Sequence, residues 1–310
     1  MLLRRLFHST CKISLYHNNT LQSNQSLLSN LRKKTGYPIA HCKKALELSN
    51  NDLEKAESML NIQAQAQGWV KAAKLQSRST PNGLIGAVLR DNYAFMVELN
   101  CETDFVAKNE KFQSLVVQVL DICSRHSASA VSSSQYTQTI FKVGYSSEQL
   151  GNLQASENST LNDLLAYNIG LIGENLMLRR GVMLYSSDNK IKFSCSAHPQ
   201  INVDETLLGK YAALVAYQDN NSTEIENPEL NEIIITDKLS KQLCQHIIGM
   251  NPRTINAPNQ ESSEDETVLL NQEFLAYPEF SVREVLSHVG WDIREFLRFE
   301  CGESLDEPSS

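Results

Sequence analysis

Three observations predict an α+β protein. Residues 26–60 hold three short amphipathic helical segments separated by turn signals. Strand-type runs rich in β-branched and aromatic residues lead into helical periodicity twice, at 84–125 and at 176–249. No apolar run approaches the ~20 residues that would span a bilayer, so no membrane association is expected. The predicted architecture is a small amino-terminal three-helix bundle plus a core of two similar antiparallel-sheet-and-helix halves. The 310-residue chain, 41% hydrophobic and 21% charged, has the composition of an ordinary soluble globular protein.

The bundle is assigned to residues 26–77. Its first helix runs from Ser26 to Lys34 and is stopped by Gly36. Pro38, with its fixed φ and no N–H, suits the first turn of the next helix, in which Ile39, Cys42, Ala45 and Leu46 share a face. Asn50-Asn51-Asp52 caps a third, with Leu53, Ala56, Met59 and Leu60 inward. The layout resembles a ubiquitin-associated domain. So small a bundle buries little surface, and the helical tail Gln63–Gln76, with Trp69 as anchor, is expected to tether it.

Arg78-Ser79-Thr80-Pro81-Asn82-Gly83 is a turn-rich break. The first half of the core is placed at 83–160: a hairpin of Leu84–Leu89 and Tyr93–Leu99, a helix ending near Arg125, and a polar insertion at 126–160 read as a loop or a poorly ordered segment. The second half, 161–253, opens on a helix capped by Thr160 and Asp163 and reaching about Asn168. A hairpin of Leu176–Tyr185 with Ile191–Ala197 follows, then a strand Leu208–Tyr217 and an amphipathic helix through Leu239, Leu243 and Ile247. Residues 254–268 are acidic and polar with no apolar face, and are expected to be a disordered linker. In the last segment, 269–303, Ser281-Val282-Arg283-Glu284 is a capping box, and Ile293–Phe299 is a strand returning to the core.

The net charge of −8 is unevenly spread. Residues 1–80 hold 12 Lys+Arg against 4 Asp+Glu, leaving 16 against 32 for the rest. A basic front can signal nucleic acid, but these charges lack interleaved aromatic stacking residues, and no direct nucleic-acid binding is expected. Part of the surplus belongs to Met1–Tyr16, which carries Arg4, Arg5 and Lys12, several hydroxyls and no acid; the first acidic residue is Glu47. That is the composition of a mitochondrial transit peptide, assigned to residues 1–20. Seven dispersed cysteines without a C-x-x-C pair argue against a disulfide framework and against a zinc site. No phosphate-cradling G-x-x-x-x-G-K-[ST] run is present. His246 has no metal-spaced partner, and Cys101 has no neighbouring histidine to activate it. Neither catalytic chemistry nor a cofactor or metal is expected.

The junction Asn100-Cys101-Glu102-Thr103-Asp104-Phe105-Val106-Ala107-Lys108-Asn109-Glu110-Lys111-Phe112 joins a strand to a helix. Thr103, Asp104 and Asn109 are each candidate helix caps, and the ring of Phe105 could fold back onto its own core. The wording of this junction closely resembles the signature of elongation factor Ts, the guanine-nucleotide exchange factor for elongation factor Tu. Three further stretches agree in order: Leu31-Arg32-Lys33-Lys34-Thr35-Gly36 with Cys42-Lys43-Lys44-Ala45-Leu46, Ile172-Gly173-Glu174-Asn175 with Arg179-Arg180, and Phe296-Leu297-Arg298-Phe299-Glu300. Many bacterial members carry a long helical hairpin that pairs two exchange factors. No sustained heptads mark it between Asp219 and Val268, so no homodimer is expected.

The resemblance implies a one-to-one heterodimer with mitochondrial elongation factor Tu in the matrix. It implies that Thr103, Asp104, Phe105 and Val106 disturb the partner's Mg²⁺ and phosphate site to release GDP. Arg32, Lys33, Lys43 and Lys44 would be further partner contacts, although a solvated helix face is the commoner reason for such charges. His198 roughly matches a family contact, in altered surroundings. The competing reading is a ubiquitin-binding or other helical-bundle adaptor, against which Thr35-Gly36-Tyr37-Pro38 lacks an apolar loop.

Overall fold

A computed structural model describes residues 27–35, 37, 39–132, 139–220, 236–256 and 267–305. The expected leader and linker up to residue 25, Gly36, Pro38 and the centre of the acidic stretch, 257–266, lie outside the described residues. The chain divides into two compact units, Met1–Gln76 with Ala166–Gly173, and Ser77–Leu165 with Glu174–Ser310.

In the first unit, α1 (residues 27–35), α2 (Ile39–Leu48) and α3 (Leu53–Leu75) close on Leu31, Tyr37, Cys42, Ala45, Leu46, Ala56 and Leu60. The i, i+3, i+4 spacing of Cys42, Ala45 and Leu46 is what brings these side chains to one face. Asn50 and Asn51 take positive φ to end α2, and Asp52 then caps α3 by accepting from Lys55 N. The expected third helix and its tail are one continuous helix of 23 residues. Trp69 is not the buried anchor of that tail, being 47% exposed; the buried positions there are Ala64 and Gly68. A Cβ on Gly68 would lie 2.2 Å from the Ala166 carbonyl oxygen, so this glycine permits close approach of the second half of α7 (Leu161–Ile172).

The second unit is built on two antiparallel sheets. The larger has six strands in the order β3-β6-β2-β1-β9-β8: β1 is Asn82–Arg90, β2 Tyr93–Cys101, β3 Phe141–Ser146, β6 Leu176–Tyr185, β8 Ile201–Val203 and β9 Thr206–Gly209. The smaller is β13-β10-β7, with β7 Ile191–His198, β10 Tyr211–Asp219 and β13 Trp291–Glu300. Every residue of β2 is buried, which explains its near-continuous apolar run. Ala94 and Met96 pack with Ala212, Leu214 and Ala216 of β10. The helix α5 (Glu110–Ser132) covers β1 and β2, with Phe112, Val116, Val119, Leu120 and Cys123 buried. On the smaller sheet, α8 (Thr236–Met250) buries Leu239, Leu243, Cys244 and Ile247.

Three expectations for the core change. The described residues of 126–160 are neither loop nor poorly ordered: α5 runs on to Ser132, and β3 pairs with β6. The short helix α6 (Ser147–Gly151) follows, opened by a Ser146/Gln149 capping box, and then the ribbon of β4 (Gln154–Ser156) and β5 (Ser159–Thr160). Residues 133–138 lie outside the described ones. Leu176–Tyr185 and Ile191–Ala197 do not form a hairpin, because β2 and β3 occupy both edges of β6, while β7 pairs with β10. Leu208–Tyr217 is not one strand. The chain bends at Lys210, just past Gly209, whose Cβ would lie 2.8 Å from His198 N, and β9 and β10 join different sheets. The two expected halves are therefore interleaved rather than successive.

The helix capped by Thr160 and Asp163 continues to Ile172. At the carboxy end, β11 (Glu273–Phe274) pairs with β12 (Tyr277–Ser281). The Ser281/Glu284 capping box then opens α9 (Val282–Val289), Gly290 closes it at φ 69, and β13 returns to pair with β10. The described ends of the acidic stretch, Thr254 and Val268, meet in a parallel bridge.

Candidate functional site

The site grows from the end of β2. Past Cys101 the chain turns, and Thr103, at φ −121 and ψ 154, caps the four-residue helix α4 (Asp104–Ala107) by accepting from Val106 N at 3.4 Å. The cap is thus Thr103 and not Asp104; Asn109 caps the start of α5 through its Oδ1, which accepts from Lys111 N at 2.8 Å. Ala107 is the buried residue of α4, while Phe105 is 80% exposed. The alternative in which this ring folds into its own core is overturned. An isolated benzyl group held in water has lost the stabilisation of burial, about 1.5–3 kcal/mol.

Asp104 Oδ2 accepts from Lys108 Nζ at 2.8 Å, and that hydrogen bond holds the Asp104 carboxyl below its usual range. The acid is therefore ionised throughout neutral pH, paired one helical turn along. Cys101 is buried, its Sγ donating to Thr103 O at 3.1 Å, and burial pushes the thiol up to about 12. Such a thiol is no nucleophile at neutral pH.

The turn is tied to a segment far away in sequence. Thr103 N and Oγ1 donate to Glu174 Oε2 and Oε1 at 3.0 and 2.7 Å. Reciprocally, Asn175 N donates to Glu102 Oε1 at 2.7 Å, and Glu102 Oε2 pairs with Arg78 at 3.3 Å. Asn175 Nδ2 closes the ring on Arg78 O at 2.9 Å. Gly173, at φ 87, sets the left-handed exit from α7 that leads into this pair of residues.

Of the other candidates named from the sequence, Arg32 and Lys33 lie exposed on α1, and Lys43 and Lys44 exposed on α2, all in the first unit. His198 is exposed at the end of β7, opposite Tyr211. Among the described residues no cluster of His, Cys, Asp or Glu could hold a metal ion, and no helix is long and apolar enough to cross a membrane.

Residues 9–70 match the family model "Elongation factor Ts, mitochondrial, N-terminal", and residues 102–264 match "Elongation factor TS". The chain is 39% identical to an elongation factor Ts, mitochondrial, of Drosophila melanogaster, over 99% of this chain and 95% of the relative. It is 39% identical to that of Aedes aegypti (91% and 89% covered) and 36% identical to that of Homo sapiens (91% and 84%). The chain belongs to the elongation factor Ts family. It is thereby a translation elongation factor, and its relatives place it in the mitochondrion.

Within the elongation factor Ts fold, one buried acid and the pairing it makes escaped the sequence reading. Glu98 has no exposed surface, and it accepts from Arg179 at 2.9 Å, Arg180 at 2.6 Å and Gly302 N at 2.8 Å. Arg180 also reaches Glu303 at 2.5 Å and lies 3.8 Å above the Phe299 ring. Through these contacts the Arg179-Arg180 and Phe296–Glu300 stretches seal the carboxy-terminal turn onto β2 and β6. The signal was available as a lone acid inside the apolar run of β2, since a buried charge requires a partner.

Proposed function

We propose that this chain is the guanine-nucleotide exchange factor of mitochondrial elongation factor Tu, working in the matrix as a one-to-one heterodimer and without catalytic chemistry of its own. The observation that carries the reading is Phe105, 80% exposed at the tip of a short capped helix. An apolar ring so placed stabilises nothing in its own chain and gains its burial only on a visitor. Phe105 wedges between helices of the partner's nucleotide domain. Asp104, ionised and exchangeable from its exposed pair with Lys108, disturbs the polar network around the partner's Mg²⁺, with Thr103 and Val106 flanking it. Since Mg²⁺ neutralises phosphate charge and ties it to the protein, its displacement weakens GDP binding.

Linkage makes the effect mutual, so whatever loosens GDP is itself loosened by GDP. Burying one phenylalanine is worth about 1.5–3 kcal/mol, or about one to two decades of affinity. Larger coupling comes from further surface, for which Arg32, Lys33, Lys43, Lys44 and His198 are the candidates. The test is release of labelled GDP from mitochondrial elongation factor Tu. Acceleration by the wild-type chain, cut about ten- to a hundredfold in Phe105→Ala, is the expected result; no acceleration by wild type ends the exchange reading.

A further inference from the structure

We infer that Glu174 is a positioning residue for exchange: it presets the direction of Phe105 by gripping Thr103, and the inference rests on the wedge reading above. At 80% exposure the Phe105 ring receives little packing from its own chain. Its direction is therefore set by the backbone of α4, a helix of only four residues, too short to hold its own geometry. What fixes its first turn is Thr103, and what fixes Thr103 is Glu174, which takes both the backbone N–H and the hydroxyl proton of that one residue.

The hydroxyl carries a second duty. While Oγ1 donates to Glu174, its lone pair accepts from Val106 N, so the rotamer that caps the helix is the rotamer that the carboxylate selects. Glu174 is 71 residues away in sequence and reaches the turn only through the fold. The Asn175–Glu102 bond adds a parallel tie between the same two segments. A wedge aimed before contact does not lose the ordering entropy that a flexible one gives up on docking.

Glu174→Gln keeps one acceptor oxygen and the same shape; Glu174→Ala removes both acceptors. GDP release from mitochondrial elongation factor Tu is measured with each full-length chain beside wild type and Phe105→Ala, together with backbone ¹⁵N relaxation of the free chain. Expected are a fall in maximal release rate of about tenfold for Glu174→Ala, equivalent to ~1.4 kcal/mol, and a smaller fall for Glu174→Gln. In the free Glu174 variants, order parameters at residues 104–106 drop from about 0.85 towards 0.6, while those along β2 do not move. A general structural role would lower them in β2 as well, and that outcome overturns the inference. Wild-type release by both Glu174 variants beside a slow Phe105→Ala overturns it alone and leaves the wedge. Wild-type release by Phe105→Ala removes the wedge, and this inference with it.

Discussion

Glu98 and Arg180 are direct cross-strand partners on β2 and β6, and they meet at 2.6 Å with the carboxylate wholly out of water. Arg179 joins the same carboxylate. Replacing Glu98 by Gln removes the carboxylate that Arg179 and Arg180 share, leaves Arg180 only Glu303 as counter-charge among the described residues, and weakens the grip on Gly302 N. Breaking such a buried pair costs about 3–5 kcal/mol, and because both arginines keep 16–17% of their side-chain surface in water the lower figure is expected. Urea unfolding of wild type and Glu98→Gln measures it; a difference under ~1 kcal/mol would show the network to be incidental.

Phe105→Ala should separate function from stability. The ring is exposed, so the free energy of unfolding should stay within about 0.5 kcal/mol of wild type. GDP release should fall by about ten- to a hundredfold. A substantial loss of stability would mean that the ring is buried in solution.

Gly68→Ala pits two effects against each other. Alanine in a helix interior gains about 1 kcal/mol over glycine. The new methyl group would sit 2.2 Å from a backbone oxygen of Ala166 and 2.7 Å from its carbonyl carbon, and a backbone cannot rotate aside. Overpacking of this sort costs about 1–3 kcal/mol, so the variant should melt lower than wild type. Unchanged melting would mean that α7 moves away at little cost.

Burial pushes the thiols of Cys101, Cys123, Cys195 and Cys301 up to about 12. Folded chain at pH 8 should therefore react with thiol probes at these positions far more slowly than chain in denaturant. A thiol whose pKa is raised by folding contributes fully below its unfolded value, near 9, and its contribution is lost as pH climbs from there towards 12. Each buried thiol then costs up to about 1.4 kcal/mol per pH unit above 9, so chemical unfolding at pH 10 should require less denaturant than at pH 8.

His246 lies on α8 with no exposed surface; its Nδ1 accepts from Leu275 N at 3.2 Å, which leaves Nε2 to donate to Gln272 Oε1 at 2.9 Å. Burial lowers its pKa. A lowered histidine contributes stability above its unfolded value, about 6.5, and loses it as pH falls through that value towards the folded one. Proton NMR of the ring should show a midpoint below 6.5, and stability should decline on acidification from about pH 7. An ordinary midpoint would mean that the ring is hydrated.

Local chemistry made the candidate caps of the junction readable, while its reading as a partner-binding site came from the resemblance to elongation factor Ts. On pattern Thr103, Asp104 and Asn109 read as caps and Phe105 as a ring that folds inward or stays out, and the capping boxes at 160–163 and 281–284 lie where their side chains reach their own backbone. The strand β3 was legible too, in the alternation of Phe141, Val143 and Tyr145, but the polar residues around it outweighed a period-2 signal three side chains long. What misled at Leu208–Tyr217 was an apolar run broken by a glycine, whose meaning depends on how closely His198 approaches.

By itself the chain's order of residues determined the α+β class, the first-unit helices, the buried faces of α5 and α8, and which residues compete to cap the junction at 103. Those features follow from periodicity and from side chains acting on backbone within a few positions. Only the tertiary structure decided that β6 leaves β7 for β2, that Glu98 has counter-charges, that Phe105 faces water, and that Glu174 grips Thr103. Each of those depends on groups brought together from distant parts of the chain, and no local pattern encodes which distant partner will occupy a given edge or lone pair.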